Sequence, residues 1–288
     1  MEQVLVNGLL TGGMYAAFGI GLSLVYGVTR VISAVHAAFI VLGAYLTYTA
    51  WTQWRIDPFL MLPVLAVVGF VLGYGMQRLL INRALRQSTN VTTITMTFGL
   101  DLILTTVILV VWTANLFSLS VPYKSDGVDF GDIRIPFVRL AILVLSVLMA
   151  LGLDYVIRKT EVGRRIRAVS QNRMAFDLIG LDGDHYYAMA HGLAAAVACA
   201  AGAFIALTQP IQPFMGFPIL MVAFAVVVLA GFGSVAPVLL GGIILALTQS
   251  MAGLVFGLQY QRLALFAMYL AVATLRPSGL FGKRFYAH

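Results

Sequence analysis

Charge is scarce in this chain. Of its 288 residues only 10% are Asp, Glu, Lys or Arg, while 61% are hydrophobic and the mean hydropathy is +0.95. A soluble domain carries about 25% charged residues, so this composition excludes a water-soluble globular fold and indicates a polytopic membrane protein. Cysteine is nearly absent as well. Cys199 stands alone in the Ala-rich run Ala194 to Ala203, which rules out an intramolecular disulfide or a multi-cysteine metal site and leaves a small packing residue. No Lys or Arg precedes Arg30, so the basic start of a cleaved signal peptide is missing and the first span is expected to stay in the mature protein.

Catalytic machinery is missing too. The chain contains no G-x-x-x-x-G-K-[ST], no H-E-x-x-H and no G-x-S-x-G, and neither paired carboxylates nor a metal constellation is legible. The expectation is a protein that is not an enzyme, needs no cofactor or metal of its own, and takes its energy from elsewhere.

The charge that is present is unevenly placed. Net charge is +7, and the basic residues gather at Arg78 to Arg86, Arg158 to Arg173 and Arg276 to Arg284. Between apolar runs such clusters mark loops on the cytoplasmic side, next to anionic membrane lipid, rather than a nucleic-acid surface. Measured against about 20 apolar residues per span, the sequence offers nine candidates: 4–28, 31–53, 58–80, 93–117, 137–157, 186–208, 217–233, 236–256 and 261–275. The expected fold is all-α, a polytopic helical bundle of about nine spans (range 8–10), forming a single transmembrane domain over 1–288. Setting the basic clusters inside puts the N-terminus outside, the C-terminus in the cytoplasm, and the loop Ser118 to Arg134 outside. That loop, with Pro122, Gly127, Gly131 and several Asp residues, is long enough for a small hairpin.

Glycine punctuates the spans. Gly8, Gly12 and Gly13 interrupt the first and Gly231 and Gly233 end the seventh, where a broken or re-entrant element is conceivable. Gly8/Gly12, Gly69/Gly73 and Gly253/Gly257 have the small-xxx-small spacing that lets helices approach closely, and packing is the plainer reading.

Two polar features stand out against this background. One is the island from Arg158 to Asp184, where Met174/Leu178 and Ala175/Ile179 form i, i+4 pairs on a short helix that Asn172 would cap and Gly180 would end. An amphipathic helix between two spans suits docking of a soluble partner. The other is a polar stripe on the fourth span, Thr93, Thr97, Asp101 and Thr105 at four-residue spacing. An Asp at bilayer depth costs about 3 kcal/mol and turns inward, either towards a pathway or into an interhelical hydrogen-bond seam. His36, Thr97, Asp101 and Tyr45 are the pathway candidates. His191, Phe98 and Phe214 are weaker ones, because a lone histidine or aromatic in a span usually serves packing.

Several ordered motifs carry a resemblance. They are Asn7-Gly8-Leu9, Gly21 to Val28, Leu42-Gly43-Ala44-Tyr45, Gly163 to Asn172, Gly180-Leu181-Asp182, Met215-Gly216-Phe217-Pro218, Gly231 to Ser234, Gly241-Gly242 and Arg276 to Gly282. In order and spacing, over nearly the whole chain, the sequence resembles the permease subunits of high-affinity branched-chain amino-acid ABC importers, of the LIV-H type. The resemblance implies a bacterial inner-membrane importer in which a sister permease of the LIV-M type pairs with this chain. Two ATP-binding subunits would dock from the cytoplasm and an extracytoplasmic binding protein would deliver solute. It makes 158–184 the coupling segment, with Met174, Leu178 and Ile179 as buried anchor and Arg164, Arg167 and Asp182 as polar rim. Gly163, Gln171, Asn172, Ala175 and Gly180 are the other matched positions there.

The chain departs from the family pattern at Ser33 to Ala38, where only His36 of an Asn-x-Ala-His-Gly motif remains, and at Asp101, Met174 and Val222. These departures leave the solute open between leucine, isoleucine and valine and other small solutes such as urea, amides or aromatic acids. An ion-coupled secondary transporter and a membrane enzyme are the alternatives from other classes. Sparse intramembrane charge argues against the first, and the missing motifs argue against the second.

Overall fold

Every apolar run becomes a helix in the computed structural model, which describes residues 1–30, 33–87, 90–124, 126–130, 133–231, 236–276 and 279–281. In chain order the helices are α1 (Glu2–Thr29), α2 (Val35–Trp54), α3 (Leu62–Met76), α4 (Asn82–Gln87), α5 (Asn90–Trp112), α6 (Phe137–Lys159), α7 (Glu161–Gln171), α8 (Arg173–Leu178), α9 (Gly183–Thr208), α10 (Gly216–Ala230), α11 (Ala236–Val255) and α12 (Gln261–Leu275). One π-helical turn, Gln77–Ile81, joins α3 to α4. Gly131, Asp132, Phe232, Gly233, Ser234, Pro277, Ser278, Gly282 and Arg284, all singled out in the sequence, lie outside the described residues.

Seven helical stretches among the described residues are long and apolar enough to cross a membrane. They are α1, α3 with its π turn, α5, α6, α9, α10 with the turn before it, and α11. The protein is thus an all-helical polytopic membrane protein with seven candidate spans. The sequence's second and ninth runs do form helices, but α2 is diluted by Thr47, Thr49, Thr52 and Gln53, and α12 has only 15 residues. The α2 threonines bond within their own helix, Thr47 Oγ1 donating to the Gly43 carbonyl at 2.7 Å and Thr49 Oγ1 to that of Tyr45 at 2.9 Å. Those bonds satisfy the hydroxyls of a helix whose first eleven residues, Val35 to Tyr45, are all buried.

Lipid is as apolar as the side chains, so close approach rather than hydrophobic transfer holds membrane helices together. The glycines supply it. A Cβ on Gly12 would stand 2.6 Å from Ile243 Cα, and one on Gly8 would stand 2.9 Å from Leu247 Cδ2, so these residues seat α11 on α1. They do not interrupt α1, which runs unbroken. Gly43 abuts the Cys199 backbone, Gly202 that of Ile40, and Gly69 and Gly73 the Ala195 side of α9. Together they pack α2 and α3 onto α9, and Cys199 is the buried packing residue the sequence suggested. The outer helices keep exposed apolar faces, such as Val67 and Val71 on α3, Leu102 and Val110 on α5, and Val144 and Leu148 on α6.

The loop after α5 does form a hairpin, β1 (Gly127–Phe130) antiparallel to β2 (Ile133–Pro136) with Val128 opposite Ile135. Gln3 ties it to the start of α1. Its Oε1 accepts from the Arg134 N–H at 2.8 Å and its Nε2 donates to the Arg134 carbonyl at 2.9 Å. One end of the bundle therefore carries the start of α1 and the hairpin, and the other carries α4, α7 and α8.

Candidate functional site

At that second end the basic island folds into two helices, where the sequence suggested one short one. Thr160 caps α7, its side chain accepting from the Gly163 N–H at 3.2 Å. Gly163, Ile166 and Val169 form the buried face of α7. Gly163 is needed there because a Cβ would meet the carbonyls of Val156 and Ile157. It belongs to the joint with α6 rather than to an exposed surface. Asn172 breaks the helix and caps α8, its Oδ1 accepting from the Ala175 N–H at 3.0 Å.

The two faces of α8 differ sharply. Phe176 is buried, its ring 5.5 Å from that of Tyr186 at the start of α9. Met174, Leu178 and Ile179 point away from the body, 76%, 81% and 72% exposed. Gly180, at φ +82°, reverses the chain in a conformation only glycine adopts freely. Asp182 then caps α9, accepting from the His185 N–H at 3.1 Å, and meets the Arg78 guanidinium at 2.7 Å. Burial alone would raise the Asp182 pKa, but the Arg78 bond and charge and the N–H groups of His185 and Asp184 outweigh it, leaving the pKa below 3.8.

The frame behind α8 is polar and cross-linked. Arg173 pairs with Asp184 and reaches Asp177 at 3.7 Å. Arg165 bonds Glu161 and the Tyr186 hydroxyl, each at 2.5 Å. Asn82 Nδ2 donates to the Asp184 carbonyl at 2.9 Å, and Tyr74 bonds His185 at 2.8 Å. Of the rim expected from the sequence, Arg164 is exposed, as is Gln171 among the other matched positions. Arg167 instead bonds the Ile157 carbonyl, and Asp182 is committed to Arg78 and α9. Sequence reasoning missed Phe176, Tyr186, Arg78 and Asp184. A six-residue helix is too short for periodicity to assign Phe176 a face, and a pairing such as Arg78 with Asp182, across about a hundred positions, leaves no local signal.

The four pathway candidates are not brought to one point. His36 is buried, its Nε2 donating to the Phe18 carbonyl of α1 at 3.0 Å. Tyr45 is fully buried, its ring 5.3 Å from Trp112 and 6.1 Å from Phe117. Thr93 and Thr97 are buried, and Thr97 Oγ1 accepts from the Ala34 N–H at 3.4 Å, so the stripe on α5 does turn inward, towards the start of α2. Asp101 is half-buried with its carboxylate on the Ala38 backbone, in the first turn of α2. Among the described residues, no three His, Cys, Asp or Glu side chains gather as a metal site requires.

Helices packed through glycine around α1 and α9, with a braced polar island at one end, form the membrane bundle. The family described as "Branched-chain amino acid transport system / permease component" matches residues 4–273. The chain belongs to that family. Similar proteins span its full length. The high-affinity branched-chain amino acid transport system permease protein BraD of Pseudomonas aeruginosa is 28% identical, covering 98% of this chain and 95% of its own length. LivH of Escherichia coli K12, a permease protein of the same description, is 25% identical over 98% of this chain and 95% of its own. The probable branched-chain amino acid transport permease protein LivH of Methanocaldococcus jannaschii is 24% identical over 98% and 92%. A solved structure, PsaBC from Streptococcus pneumoniae in complex with Fab, covers 96% of this chain and 92% of that chain at 12% identity and a TM-score of 0.46, too distant to argue from.

As a family member, the chain is the permease subunit of a branched-chain amino acid ABC transport system, a transport component and not a catalytic one. A permease of this type implies a transport complex with partner subunits.

Proposed function

We propose that this permease forms one half of the membrane channel of an inner-membrane importer, paired with a sister permease of the LIV-M type. Two ATP-binding subunits power it and an extracytoplasmic binding protein feeds it. The carrying observation is the α8 face. Met174, Leu178 and Ile179 stand exposed beside Ala175 on a helix capped by Asn172, ended by Gly180 and braced from behind by Phe176. An apolar triad held rigidly outside the body suits insertion into a cleft of an ATP-binding subunit. There it would pass closure of the ATPase dimer to α9 and α6 as a rigid-body shift. In this reading 158–184 is the coupling segment of a single transmembrane domain over 1–288. The nine helical runs alternate across the bilayer, with the N-terminus and hairpin outside and the C-terminus inside.

The solute proposed is a branched-chain amino acid, with urea, amides and aromatic acids as the alternatives raised by Ser33 to Ala38 and Asp101. His36, Tyr45, Thr97 and Asp101 then shape the wall that α2 and α5 form beside the pathway, since each is wholly or partly engaged inside this chain.

Replacing Leu178 with Asp tests the coupling surface. Burying one leucine contributes about 1.5–3 kcal/mol, so a lone aspartate there is expected to weaken ATPase association at least tenfold, at about 1.4 kcal/mol per decade. Pull-down from membranes and vesicle uptake would read this, with the permease itself still inserted. Unchanged association and unchanged uptake would refute the docking role. A thermal-shift screen of the cognate binding protein against leucine, isoleucine, valine, urea, amides and aromatic acids assigns the solute, because only a bound ligand raises its melting temperature.

A further inference from the structure

A small polar cavity sits inside the bundle near the end that carries α7 and α8, away from the α8 surface. The end of α1, the residues before α2, the π turn, α4, α5 and α9 all contribute to it. Its volume is about 10 Å³. Apolar walls come from Val25, Ile81 and Leu85, and polar ones from Ser33, Gln77, Thr93, Thr97 and His191.

Ser33 is 2% exposed and His191 3%, yet Ser33 Oγ and both ring nitrogens of His191 have no hydrogen-bond partner among the described residues. Two of the polar neighbours are committed elsewhere. Gln77 Nε2 donates to Asn82 Oδ1 at 2.9 Å, and Thr97 Oγ1 donates to the Ile94 carbonyl at 2.9 Å. His36, the other histidine of this region, is bound to Phe18 and leaves His191 to the cavity. Buried polar groups seldom go unmet in a folded protein, and least of all inside a membrane. A π-helical turn bordering the cavity fits a site with a ligand, because such turns swing side chains out of the α-helical register and recur at functional positions.

We propose that this cavity is a binding site for one water molecule, held between His191 of α9 and Ser33 ahead of α2. The size matches, since a cavity of this volume admits about one water. The chemistry matches as well. An imidazole offers one N–H and one lone pair, a serine hydroxyl offers both, and a water complements each with two donors and two acceptors. A water bridging the two meets the Ser33 hydroxyl and one ring nitrogen of His191, and keeps further donor and acceptor capacity for the cavity wall. The site joins α9, which begins at the Asp182 cap, to the chain between α1 and α2. It is therefore a hydrated joint immediately above the braced island.

Hydroxyl radicals generated by synchrotron radiolysis of water label side chains beside a bound water even where bulk solvent does not reach. In the full-length wild-type chain, with whatever subunits co-purify and reconstituted in lipid nanodiscs, Val25 and Ile81 are expected to take up label. The equally buried Ile20 and Ile40, which lie outside the cavity, should remain unlabelled. His191→Phe removes both nitrogens and fills the space, and is expected to abolish the Ile81 label. Wild-type labelling of Val25 and Ile81 no higher than that of Ile20 and Ile40 would overturn the proposal, whether or not the variant assembles. So would a label at Ile81 that persists in His191→Phe. Neither readout depends on transport, so the importer reading stands or falls separately.

Discussion

Arg78 Nη1 donates to Asp182 Oδ2 at 2.7 Å, linking the π turn after α3 to the residue that caps α9. Two functions meet in one carboxylate, since Asp182 also accepts from the His185 N–H. The cap is the larger contribution, because both partners of the ion pair are substantially exposed and water screens such pairs.

Asp182→Ala is accordingly expected to cost about 1 kcal/mol through the lost cap, and Asp182→Asn, which still caps, less than about 0.5 kcal/mol. Thermal melts of the purified permease check the order. The folded Asp182 pKa lies below 3.8, so the stabilisation from its charge is complete above that value and disappears as pH falls through the lower folded one. The gap between wild type and Asp182→Asn should therefore close in acid and stay constant from pH 5 to neutrality.

Phe176 and Met174 sit on opposite faces of the same short helix. Phe176→Ala removes its contact with Tyr186 and should release α8 locally, cutting coupled uptake while the bundle melts within a few degrees of wild type. Met174→Ala is expected to leave the melting temperature unchanged and weaken ATPase association. ATPase stimulation in proteoliposomes separates the two. Equal effects of both variants on melting would contradict the two-faced arrangement.

Gly43 and Gly152 have the same side chain and opposite surroundings. A Cβ at Gly43 would meet the Cys199 backbone, whereas one at Gly152 would meet nothing within 4 Å. Gly43→Ala should destabilise by about 1–3 kcal/mol through overpacking. Gly152→Ala, in the middle of α6, should be neutral or stabilise the isolated chain by up to about 1 kcal/mol through helix propensity. Melting temperatures of the two variants, run side by side, give the comparison.

Asp101 makes a hydrogen bond to the backbone of Ala38, near the start of α2. That contact fits a role in holding α5 on α2. Asp101→Asn, which keeps an acceptor oxygen for it, is expected to change stability by less than about 1 kcal/mol and to leave the KM of uptake unchanged. A changed KM with unchanged melting would place the carboxylate on the solute path instead.

Much of this arrangement was readable in advance. Hydropathy located all nine helical runs, because each lipid-exposed segment must satisfy its backbone internally and so must be long, apolar and helical. The Asn172 cap and the Gly180 stop were legible from residue type alone, since caps are local, while the triad Met174, Leu178 and Ile179 was expected only from the family resemblance. Family membership followed from ordered motifs spread along the chain.

Only the tertiary structure decided the rest. Gly8 and Gly12 could equally have broken α1 or seated a neighbour, and the proximity of Ile243 and Leu247 made them contact points. Arg78 on Asp182 depends on the packing of α3 against α9, and Phe176 on Tyr186 and Arg173 on Asp184 depend on α8 folding back against the start of α9. His191 read as an ordinary buried histidine, and its unmet nitrogens beside Ser33 emerge once α9 and the start of α2 are set against each other. Composition and local spacing determine which segments enter the membrane and where helices start and stop. Which polar atoms face one another depends on the close approach of helices distant in sequence, and no single segment encodes that.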